Sequence, residues 1–118
     1  MVLRAATAAA GDFVRGGYTV LYDGIVGPWF LPLFAAATGL DRLSYVVLLP
    51  PEETCLARVA GRSGHGFTDA DATRRMHREL AAGDVAERHV LRTPAGPPAE
   101  VARSILDRLA DGSLRYAA

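Results

Sequence analysis

The sequence predicts an α/β domain, a parallel sheet flanked by helices with three strands visible. Two observations predict it. Apolar runs at 18–22, 44–49 and 88–92 are separated by stretches with helical periodicity. The run at 44–49 (SYVVLL) shows no polar alternation, the pattern of a strand buried on both faces, as in a parallel sheet.

Residues 2–15 predict the first helix, because Leu3, Ala6, Ala10, Phe13 and Val14 recur at helical spacing and Gly16 and Gly17 stop the pattern. The first strand is expected at 18–22 (YTVLY), a β-branched and aromatic run that ends at Asp23. Pro28 opens a short helix with Trp29, Phe30, Leu33 and Phe34, limited by Pro32 and ended by Gly39. After the strand at 44–49, Pro50, Pro51, Glu52 and Glu53 start a helix with Cys55, Leu56, Val59 and Ala60 on its apolar face. A glycine-bearing loop at 63–67 follows. Thr68 is positioned to cap an Arg-rich helix that runs to about Ala82, with Asp71 in the capping-box position. The third strand, at 88–92 (RHVLR), is the weakest. A loop at 93–98 leads to the clearest amphipath in the chain, 98–110, in which Val101, Ala102, Ile105, Leu106 and Leu109 share a face. The tail from Gly112 is expected to fray. The order is α-β-α-β-α-α-β-α in one domain spanning residues 1–118, with a lid region at about 58–75.

Composition excludes several function classes. Thirteen basic residues balance thirteen acids, so net charge does not drive binding to nucleic acid or to a membrane. Every basic residue is Arg, and the chain contains no Lys to clamp a phosphate or form a Schiff base. Cys55 is the single cysteine, which excludes an internal disulfide, and a buried inert thiol is expected there. His65, His77 and His89 lack the spacing of a metal pair. No apolar run is long enough to span a bilayer as a helix, and no signal peptide is recognisable. A soluble cytoplasmic protein is the default expectation.

Two places carry chemistry. Ligands of open α/β sheets bind outside the carboxyl ends of the strands, which makes Asp23 a candidate, with Gly24 and Gly27 allowing close approach to the backbone. The alternative is that Asp23 only turns the chain. Arg58 and Arg62 lie four residues apart on one helical face beside the 63–67 loop. Guanidinium groups so placed suit a clamp on polyphosphate. The alternative is a solvated basic face paired with nearby acids.

These residues resemble a known family. Arg58 with Val59, Ala60, Gly61 and Arg62 reads R-x-x-G-R, which resembles the start of the lid in adenylate-kinase-like P-loop kinases. The stretch 17–24 (GYTVLYDG) looks like the third strand of small bacterial P-loop kinases. This is the ATP-dependent small-molecule phosphotransferase group often described as AAA-family ATPases. Chloramphenicol-phosphotransferase-like and shikimate- or gluconate-kinase-like proteins lie nearby. The resemblance covers nearly the whole chain and rests on the order of motifs that are individually weak. It implies ATP and magnesium as cofactors and a small-molecule phosphoryl acceptor as substrate. It implies that Asp23 holds magnesium, directly or through water, or orients the acceptor hydroxyl. By the same resemblance Arg58, Arg62 and Arg75 contact phosphate, Gly27, Trp29 and Phe30 line the acceptor pocket, and Thr93 to Gly96 contact adenine.

The chain departs from that family in one large respect. The family's first strand and Gly-rich phosphate loop, with its Lys and Ser/Thr, have no counterpart in these residues. In the family that strand lies between the ones matching 18–22 and 44–49. The expectation is a C-terminal portion of a phosphotransferase, shortened naturally or by a start set too far downstream, and inactive as it stands. The second expectation is a non-catalytic remnant or interaction module whose open sheet edges pair with a partner or with another copy.

Overall fold

Five helices form, four of them within a few residues of where the sequence pattern places them, because an α-helix satisfies its own backbone from residues four apart. The computed structural model of the chain describes residues 2–61, 69–92 and 97–116, and side chains from residue 4 onward. Helix α1 is Val2–Arg15, α2 Leu31–Thr38, α3 Glu52–Ala60, α4 Ala70–Ala81 and α5 Pro98–Asp111. Gly17 follows α1 at φ 95°, and Gly39 caps α2 at φ 68°, a left-handed conformation that costs a side-chain-bearing residue about 1 kcal/mol or more.

Two helix starts differ from expectation. Pro32 sits in the first turn of α2 and helps begin it, since its missing N–H has no partner to lose there. Asp69 caps α4, its carboxylate accepting from the Ala72 N–H at 3.0 Å. Thr68, the expected cap, lies outside the described residues.

The sheet is where the expectation fails. The described residues contain no parallel sheet of three strands flanked by helices. They contain two separate two-stranded ladders, each two residues long. The run at 44–49 divides into β1, Leu43–Ser44, and β2, Val47–Leu48. Strand β2 pairs in parallel with β3, Val90–Leu91, with Val47 opposite Val90. Strand β1 pairs antiparallel with β4, Arg115–Tyr116. The residues at 18–22 form no strand at all. Strand propensity is realised only against a neighbour, and nothing among the described residues pairs with this run. The start of the run expected at 88–92 is instead a 3₁₀ turn, Glu87–His89.

Residues 112–116, expected to fray, are held against the fold. Gly112, at φ 80°, turns the chain back after α5. Leu114 is then buried to 1 % exposure, and its carbonyl accepts from the Tyr45 N–H at 2.9 Å. That bond continues the β1–β4 contact.

The core gathers on these short ladders. Leu31, Tyr45, Val47 and Leu49 are its buried members, with Val26, Leu43, Leu80, Val85, Val90 and Tyr116 packed against them. Burying a side chain of this size stabilises by about 1.5–3 kcal/mol. Helices α1 and α2 pack against each other, and Leu31 at the start of α2 reaches the core. Between the two helices, the Gly11 Cα lies so close to the Thr38 carbonyl that a Cβ would overlap it. The Arg15 guanidinium donates to that same carbonyl at 2.9 Å. Helix α5 buries no residue fully, and Leu106 and Leu109 on its apolar face remain exposed.

Candidate functional site

The βαβ-like unit β2–α3–α4–β3 provides one carboxyl edge. Immediately beyond β2, Pro50 and Pro51 lead into α3. A shallow, open depression there is lined by Pro51, Glu53, Thr54, Ala57 and Arg58. Arg58 therefore shares this depression with Pro51, which follows the parallel strand, while Asp23, the residue expected at a strand's carboxyl end, does not line it. Arg58 is exposed, and among the described residues it makes no ion pair. Glu53 shares the depression, so the site carries charge of both signs and is not a purely cationic clamp.

Proline 50 is held firmly. Its carbonyl accepts from His77 Nε2 of α4 at 2.9 Å, and the Cys55 thiol lies 3.8 Å from the same oxygen. Because a carbonyl only accepts, His77 carries its proton on Nε2 in this bond. Cys55 is half-buried rather than buried. These contacts dock α3 and α4 against the strand end and set where Arg58 starts from.

A second cluster forms around the loop that precedes α2. The Tyr45 hydroxyl donates to the Val26 carbonyl, and burial pushes this phenol above its ordinary value. Pro28 lies against the backbone of Gly83, so closely that a Cβ at 83 would overlap the proline ring. The Trp29 indole folds back over Gly27 in the same way. Gly27 and Pro28 are buried, Phe30 is half-buried, and Trp29 is 53 % exposed. The loop is thus pinned at Val26 and Pro28 and presents an aromatic face at Trp29.

The predicted site residues are not all brought together. Asp23 is exposed and has no hydrogen-bond or ion-pair partner among the described residues. It does not line the depression that holds Arg58. Arg75 is exposed on α4 and does not line it either. Arg62, Thr93, Gly96 and the 63–67 loop lie outside the described residues. Glu53 and Thr54 beside Arg58 were not anticipated, although Glu53 lies five residues before Arg58 in the sequence. Nor were the structural roles of His77 and His89, since a histidine's partner carbonyl is distant in sequence.

Among the described residues, no group of three or more His, Cys, Asp or Glu side chains could hold a metal ion. Asp23 stands alone, and Arg58 stands beside a carboxylate. The residues described do not by themselves fit a magnesium-nucleotide cradle.

No protein family and no curated protein matches the chain.

Proposed function

We propose that this chain carries the lid and acceptor side of an ATP-dependent small-molecule phosphotransferase, and does not transfer phosphate by itself. The observation that supports it is the parallel pairing of Val47 with Val90 across the α3–α4 connection. That pairing gives a carboxyl edge, and the depression beside it contains Arg58. In this reading Arg58 contacts phosphate oxygens, with Arg62 and Arg75 as further cations. Asp23 orients the acceptor hydroxyl. Gly27, Trp29 and Phe30 bound the acceptor pocket, and Thr93 to Gly96 meet the adenine. A cytoplasmic location goes with this reading.

Inactivity follows from chemistry. Phosphoryl transfer depends on positioning and charge neutralisation. Backbone N–H groups at a helix N-terminus, a Lys and a magnesium-bound hydroxyl normally supply these. This chain has no Lys and no G-x-x-x-x-G-K-[ST] run. Titrating magnesium-ATP against the chain should give weak binding and no turnover. Micromolar binding with turnover would show that the phosphate site uses other residues and would overturn the proposal. A longer version of the chain with an in-frame phosphate loop should gain both binding and turnover. If it gains neither, the phosphotransferase assignment fails.

A second reading is favoured by one observation. Tyr18 and Leu21 are 66 % and 91 % exposed in a run of strand-forming residues. In this reading the chain is an interaction module that self-associates through such exposed edges.

A further inference from the structure

We draw no further inference here: the strongest candidate, the apolar face of helix α5 with Leu106 and Leu109 exposed, carries nothing because nothing in the structure shows what covers it.

Discussion

His89 donates its Nδ1 proton to the carbonyl of Tyr45 at 2.9 Å, a bond that joins residues 44 positions apart. His89 is 1 % exposed, and its ring lies between those of Tyr45 and Tyr116 at centroid distances of 5.9 and 6.3 Å. The imidazole thus ties the turn before β3 to the link between β1 and β2, and touches β4 as well. The two short ladders are joined through this side chain. Since the carbonyl only accepts, Nδ1 carries a proton in this bond.

His89→Ala should therefore destabilise more than any other histidine substitution. It leaves the Tyr45 carbonyl without its donor and opens a cavity between two aromatic rings. A loss of about 2–4 kcal/mol in urea unfolding is expected. His77→Ala, which removes one half-buried bond to Pro50, should cost about 1 kcal/mol.

Leu114→Ala tests whether the tail belongs to the core. A side chain at 1 % exposure should cost about 2–4 kcal/mol on truncation. A frayed tail would give a change within about 0.5 kcal/mol. Denaturant midpoints distinguish the two.

Gly11→Ala and Gly112→Ala separate contact from conformation. At Gly11 a Cβ would overlap the Thr38 carbonyl, so α1 and α2 must move apart. At Gly112 nothing lies within 4 Å of the new Cβ, and only the positive φ of 80° is strained. Gly112→Ala should cost about 1 kcal/mol. Gly11→Ala should cost more, about 1–3 kcal/mol, and should alter the tyrosine fluorescence of the neighbouring 18–22 segment.

Glu87 predicts a small acid dependence. Arg92 donates to its carboxylate at 2.6 and 3.2 Å, and that hydrogen bond, reinforced by the guanidinium charge, holds Glu87 below its ordinary 4.5. A depressed folded value means stabilisation present above the unfolded value and lost as pH falls through the folded one. The pair is exposed to solvent, so the effect on stability is slight. Carboxyl NMR titration should place the Glu87 midpoint below 4.5, and Arg92→Ala should return it upward.

The helices and their stops are legible in the residues alone. Each helical hydrogen bond is local, so the spacing of apolar residues, with the Gly16–Gly17 break and the Pro50–Pro51 start, is enough to place four of the five helices within a few residues. The fifth, α2, begins at Leu31 because Pro32 suits a first turn, a detail of backbone geometry that the apolar pattern does not carry. The helix that carries Arg58 is equally legible.

Strands are decided elsewhere in the chain. The run at 18–22 has better strand residues than Leu43–Ser44, yet only the latter finds a partner, in Arg115 and Tyr116. Pairing takes its second half from distant sequence, and no local pattern records which half is within reach. The same reason separates Asp23 from Arg58. Each could be singled out by its neighbours, but whether they share a cleft depends on the central sheet. In this chain the sheet is two short ladders joined by His89, and the depression beside Arg58 holds Glu53 instead. Residue type and spacing determined the helices and the candidate cation; tertiary packing decided the strands, the buried histidine and which charges meet.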